Sequence, residues 1–132
     1  MIIRVAKICS KVIKKNQIYV ATDSKKISNV VEEHGFRTIL TSEDCLTGTD
    51  RVAEASQKLE ADIILNVQGD EPLLNPNDIQ KVIDKKKINM DRVICGYSKI
   101  SESEDQNDVN IPKIIFNDSE KLIYASRNAI PG

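Results

Sequence analysis

The order of apolar and polar segments predicts an α/β fold, with a mostly parallel, Rossmann-like sheet and helices on both faces. Three observations carry this expectation. Short β-branched runs such as Ile18-Tyr19-Val20-Ala21-Thr22 and Ile63-Ile64-Leu65 alternate with helix-period segments. The runs are apolar almost throughout, as in strands covered on both faces. Helix stops and starts punctuate them, among them Gly35 and Asn75-Pro76.

The elements follow in order. Ile2, Val5, Ala6, Cys9, Val12 and Ile13 recur at helical spacing, so 2–15 is predicted as a helix with Lys11, Lys14 and Lys15 at its polar end. Ile18–Thr22 is a strand. Asp23 or Ser24 then caps a helix that carries Ile27, Val30 and Val31 and ends at Gly35. Phe36–Leu40 is a second strand. After the loop Thr41–Gly48, a helix over Thr49–Leu59 presents Val52, Ala53, Ser56 and Leu59. Ile63–Val67 is a third strand. Pro76 stands at the first helical position of a helix whose buried stripe is Ile79, Val82 and Ile83. Strands are predicted again at Arg92–Tyr97, Lys113–Phe116 and Leu122–Ala125, and the polar stretch Ser101–Asn110 is a long exposed connection. No domain linker interrupts the pattern, so 1–132 is expected to form a single, partial domain.

Composition narrows the functional classes. With 40% hydrophobic and 30% charged residues over 132 positions, the chain can bury a core of its own. A net charge of −1 gives no electrostatic footprint for nucleic acid or an acidic membrane, and with no Trp a base-stacking platform is not expected. No apolar stretch approaches the ~20 residues that span a bilayer. The three cysteines are too dispersed for a local metal motif, and their odd number argues against a complete disulfide framework. A reducing cytoplasm is therefore the expected compartment. Cys9 and Cys95 fall in apolar patterns and are expected in the core, whereas Cys45 lies in a polar loop. His34, the single histidine, falls at a helix end where it favours the dipole or faces solvent. The Lys85-Lys86-Lys87 run is expected as a solvated helix end.

Residues 66–72, Asn-Val-Gln-Gly-Asp-Glu-Pro, carry the most chemistry. Asp70 stands just past a strand-like run, where ligands of open α/β sheets bind. Its carboxylate offers hard oxygen ligands suited to Mg²⁺, and Gly69 allows a tight turn or the close approach of a phosphate. Taken alone, Gly-Asp-Glu-Pro reads first as a plain turn.

The series Tyr19-Val20-Ala21-Thr22-Asp23, Leu46-Thr47-Gly48-Thr49-Asp50-Arg51, Asn66 to Pro72 and Tyr124-Ala125-Ser126-Arg127 resembles the 3-deoxy-manno-octulosonate cytidylyltransferase (CMP-Kdo synthetase) family. The resemblance runs through nearly the whole chain and implies a nucleotide-diphospho-sugar transferase type of sheet. It implies transfer of CMP from CTP to Kdo, an acidic eight-carbon sugar, with release of pyrophosphate for lipopolysaccharide synthesis. It further implies Mg²⁺ held by Asp70, and Gln68 near the sugar or nucleotide as a second catalytic residue. On the nucleotide side it places Thr22, Thr47, Gly48, Thr49, Arg51 and Gly69. On the sugar side, with Gln68, it places Tyr124, Ser126 and Arg127, whose guanidinium suits a carboxylate. Plainer roles stand beside these: Thr49 or Asp23 as helix caps, Arg51 solvated, Arg127 in a surface salt bridge.

The chain also departs from the family. It begins on a helix, where the family opens with a strand and a basic, glycine-containing loop that grips the CTP phosphates. The family's later portion, with a second acidic metal ligand and much of its homodimer contact, has no counterpart. The sheet is therefore expected to be incomplete at both ends, with a strand missing from its interior and two unpaired edges. Two other functions stay open: a non-catalytic remnant or nucleotide-binding module, and another sugar-acid nucleotidyltransferase such as a CMP-sialate synthetase.

Overall fold

A computed structural model describes residues 1–130, so that Pro131 and Gly132 lie outside the described residues. The chain divides into two compact units, Met1–Gly96 and the segment from Tyr97 onward.

In the first unit, α1 spans Ile2–Cys9 and buries Val5, Ala6 and Cys9. It is shorter than its apolar periodicity predicts. Ser10 donates its hydroxyl to the Lys7 carbonyl at 2.8 Å, and the next amides make tightened bonds, Lys11 to Ile8 and Val12 to Cys9. A hydroxyl competing for helix carbonyls in this way ends regular α structure. A 3₁₀ turn at Lys15–Gln17 leads into β1, Tyr19–Thr22.

Ser24 caps α2, Lys25–Glu33, by accepting from the Ile27 amide. At its other end Gly35 adopts a φ of +72°, with its amide on Glu32 and that of Phe36 on Val31. That is a Schellman closure, and it brings the buried side chains Phe36 and Val31 to the same place in the core. Then β2, Arg37–Leu40, pairs parallel with β1, Tyr19 opposite Arg37 and Thr22 opposite Leu40. The last two helices are α3, Gly48–Ser56, and α4, Pro76–Lys87, the latter capped by Asn75 with Pro76 at its start.

Several expectations change. On α3 the buried residue is Ala55, and Ala53 is exposed. Cys95 is exposed, because Arg92–Tyr97 forms no strand and packs into no core. Lys86 is not simply solvated: its ammonium donates to the carbonyls of Met90 and Arg92, stapling the chain after the helix.

Ile63–Val67 likewise joins no ladder. Its burial still alternates, with residues 63, 65 and 67 half-buried and 64, 66 and 68 exposed, and Leu65 and Val67 pack on the core around Val31. The segment is an extended strand without a neighbour. Between it and the unpaired edge of β1 lies an open cleft of about 810 Å³, with α1 along one side. Strands must lie about 4.8 Å apart to pair, and these two segments share no ladder.

The second unit is built on an antiparallel hairpin, β3 (Lys113–Phe116) and β4 (Leu122–Ser126). Its connection, 117–121, is far too short for a parallel crossover. Asn117 organises it by accepting from the amides of Ser119 and Lys121. Ser101–Asn110 is exposed throughout, as its composition predicts.

Val31 is fully buried, while its neighbour Val30 is 40% exposed. Val31→Ala should therefore cost about 2 kcal/mol in urea denaturation, from two lost methyl groups and the void they leave. Val30→Ala should stay within about 0.5 kcal/mol.

Candidate functional site

The carboxyl ends of β1 and β2 meet the N-terminus of α3. Thr47 caps this helix through a reciprocal box. Its hydroxyl accepts from the Asp50 amide at 3.1 Å, while the Asp50 carboxylate accepts from the Thr47 amide at 3.0 Å and hydroxyl at 2.7 Å. The cap is thus Thr47, not Thr49. With Asp50 capped and the Arg51 amide bonded to the Thr47 carbonyl, the amides of Gly48 and Thr49 are the open donors of the first turn. Such a turn favours anions through its partial positive charge.

Arg51 fixes where that turn stands. Its guanidinium donates to the Asp23 carboxylate at 2.7 Å, the Thr41 hydroxyl at 2.6 Å and the Ser42 carbonyl at 3.2 Å. Asp23 follows β1 and Thr41 follows β2, so one side chain ties both strand ends to α3. Asp23 therefore serves Arg51, and Ser24 does the helix capping. Thr22 is buried, and its hydroxyl accepts from the Ser24 amide at 3.1 Å.

Glu54, one turn further along α3, accepts from the Ser42 amide with both oxygens, at 3.1 and 3.0 Å, and from the Cys45 thiol at 3.3 Å. The Ser42 amide, first, and the Cys45 thiol hold its carboxyl below the usual range. Desolvation and then Glu54 push the Cys45 thiol up, away from a nucleophilic thiolate.

Gln68 reaches the α3 turn from the other side of the cleft. A Cβ on Gly48 would stand 2.9 Å from Gln68 Oε1, so the glycine makes room for that amide. Asn66 lies between the two: it accepts from Gln68 and donates to the Thr49 hydroxyl, each at the long limit of 3.5 Å. Asn66 was not among the sequence candidates. The signal was its place two residues before Gln68, on the same face of an extended segment. Gly69 is tight against α1, where a Cβ would stand 3.1 Å from the Ile2 side chain.

Gly69 and Asp70 are the central residues of a turn closed by the Glu71 amide on the Gln68 carbonyl at 3.3 Å. The plain turn is therefore present, and it leaves the Asp70 carboxylate facing outward. The Asp70 carboxylate is exposed and has no hydrogen-bond or ion-pair partner among the described residues. No group of three His, Cys, Asp or Glu that could hold a metal is found among the described residues. One open carboxylate suits Mg²⁺, which keeps several waters and takes other ligands from substrate phosphates.

In the second unit, Tyr124 and Ser126 share a face of β4. Tyr124 is 56% exposed, and Ser126 accepts from the Asn128 amide at 3.0 Å. Arg127 donates through Nη1 to the carbonyls of Val109 and Asn110, at 3.1 and 3.3 Å, and makes no salt bridge among the described residues. Its Nε and Nη2 bond no described residue. Lys113, which the sequence did not single out, is buried and donates to the carbonyls of Asp108 at 2.5 Å and Arg127 at 2.9 Å. The backbone on both sides of the Arg127 contact is therefore held by one ammonium.

The cytidylyltransferase family profile matches residues 1–132. A 3-deoxy-manno-octulosonate cytidylyltransferase of Nitratiruptor is 39% identical, over 99% of this chain and 56% of the relative. One from Ruthia magnifica is 38% identical, over 88% of this chain and 49% of the relative. A solved structure of CMP:2-keto-3-deoxy-manno-octonic acid synthetase complexed with CTP superposes with a TM-score of 0.84 at 29% identity, over 99% of this chain and 54% of that one. The chain thus spans about half the length of the relatives it matches.

The depressed Glu54 carboxyl has a consequence for stability. A carboxylate whose pKa is lower in the folded state stabilises the fold above its unfolded value of about 4.3, and that contribution is lost as pH falls through the folded value. Thermal melts from pH 7 to pH 3 should show this as an acid limb. Glu54→Gln should melt lower at pH 7 and show a shallower acid limb.

Proposed function

The chain belongs to the cytidylyltransferase family, and on that footing we propose that it is the nucleotide-binding portion of an enzyme that transfers CMP from CTP to Kdo. The observation that carries this reading is the meeting of the open Gly48 and Thr49 amides with the Gln68 amide at one end of the cleft. Backbone donors at a helix start suit phosphoryl oxygens, and a carboxamide offers both a donor and an acceptor to a base or sugar. Arg51 acts here first through position, since three of its five N–H donors are taken by Asp23, Thr41 and Ser42.

In the reaction, the anomeric hydroxyl of Kdo attacks the α-phosphorus of CTP. The bond from that phosphorus to the bridging oxygen breaks, and pyrophosphate leaves. The chain's part is to hold the nucleotide in line and to supply donors where charge grows. Asp70 would hold Mg²⁺, a group that when bound would supply positive charge against that growth. The remaining Nε and Nη2 of Arg127 suit the sugar carboxylate, with Tyr124 and Ser126 on the adjoining strand face. The product would feed lipopolysaccharide synthesis, in the cytoplasm. No helix among the described residues is long and apolar enough to cross a membrane.

A second reading, a nucleotide-binding module without catalysis, is favoured by one observation: Asp70 is a lone carboxylate with no three-ligand metal group among the described residues. Pyrophosphate release with CTP, Mg²⁺ and a panel of sugar acids separates the readings. The proposal expects release with Kdo from the enzyme that contains this portion, weakened about 100-fold or more by Asp70→Asn. It expects Gly48→Ala to stay folded but bind CTP more weakly, because the new methyl displaces Gln68. CTP binding without pyrophosphate release supports the module. Preference for a nine-carbon acid would make this a CMP-sialate type of enzyme.

A further inference from the structure

The second unit buries a charge that no carboxylate answers among the described residues. Lys113 opens β3 and lies opposite Ser126 of β4, the residue before Arg127. It is only 6% exposed. Its ammonium donates to the carbonyls of Asp108 at 2.5 Å and Arg127 at 2.9 Å. A buried cation met by carbonyl dipoles alone is a costly way to gain stability, and an apolar side chain of similar volume would often serve the fold as well. What the ammonium ties together explains it better.

It joins the two segments that make the Arg127 contact. On one side, the Ile111 amide closes a turn on the Asp108 carbonyl at 3.0 Å. The Asp108 carboxylate braces that turn by accepting from the Asn110 amide at 2.8 Å and its side-chain amide at 2.9 Å. The turn presents the Val109 and Asn110 carbonyls, which accept from Arg127 Nη1 at 3.1 and 3.3 Å. On the other side stands the backbone of Arg127 itself. Lys113 thus fixes both where Arg127 leaves β4 and where the carbonyls that receive its guanidinium lie.

Arg127 is exposed, so these hydrogen bonds, rather than packing, order its long side chain. They take Nη1 and leave Nε and Nη2, which form one of the edges through which a guanidinium grips a carboxylate by two parallel hydrogen bonds. We propose that Lys113 is a positioning residue for recognition of the sugar carboxylate, acting through Arg127. This rests on the reading of Arg127 as the partner of that carboxylate. The ordering of the arginine is then met in folding instead of at each binding event.

Pyrophosphate release by the enzyme that contains this portion, at saturating CTP and varied Kdo, tests this. Lys113→Met keeps an apolar stem and removes the ammonium. It should raise the KM for Kdo about tenfold, with kcat and the KM for CTP within about twofold. Lys113→Gln keeps a donor for the same carbonyls, protects the fold if Met proves too disruptive, and should raise that KM about threefold. Arg127→Ala should raise it at least as far as Lys113→Met. Combining Lys113→Met with Arg127→Ala should add nothing further, because both act through one contact. An unchanged KM for Kdo in the folded Lys113 variants would overturn the proposal and leave the reading of Arg127 standing. Additive effects in the double variant would overturn it too, since Lys113 would then act without Arg127. If Arg127→Ala leaves the KM for Kdo unchanged, the carboxylate reading falls and takes the proposal with it.

Discussion

Much of this molecule depends on where one guanidinium sits. Arg51 projects from α3 and engages Asp23 past β1 and both Thr41 and Ser42 past β2. An exposed ion pair alone is worth little. Here three acceptors from two chain segments converge on a side chain only 19% exposed, with Glu54 holding the Ser42 amide one turn further on. The parallel pair is thereby locked to the helix that follows it. The position of the first turn of α3, and of the open amides at Gly48 and Thr49, is a consequence of that lock.

The second constraint is an edge. β1 pairs with β2 on one side only, and Ile63–Val67 stays extended across the cleft without a ladder. Its inward residues still pack on the core, so the segment keeps strand geometry through side-chain burial alone. This explains how Gln68 reaches Gly48: an extended segment seated by Leu65 and Val67 carries its outward residues, Asn66 and Gln68, toward the α3 turn. The packing of Gly69 against Ile2 fixes the far end.

Two helix ends were legible from single residues, while α1 and α3 both stop earlier than their periodicity predicts. Asn75-Pro76 and Gly35 act through backbone chemistry that a single residue specifies, and both stand where they were expected. The alternation of helix and strand was also legible, and with it the α/β class. What failed to show was anything set by a partner segment. Arg92–Tyr97 has strand composition but joins no ladder among the described residues, and Cys95 is exposed with it. The hairpin of β3 and β4 is antiparallel because its connection is short, a matter of geometry rather than of pattern. In the site, the Gly-Asp turn could be read from residue types, whereas α3 starts at Gly48 with Thr47 as its cap rather than at Thr49. The engagement of Arg51 by three acceptors, the bridge through Asn66 and the buried ammonium of Lys113 could not be read this way, since each depends on residues distant in sequence.

The central claim is that the start of α3 and the Gln68 segment form one nucleotide site. The most direct test is an amide-resolved NMR titration of the chain with CTP in the presence of Mg²⁺. The account predicts saturable shifts concentrated at Gly48, Thr49, Gln68 and Asp70, with α4 unaffected. Shifts spread over α4, with the Gly48 and Thr49 amides unmoved, would contradict it.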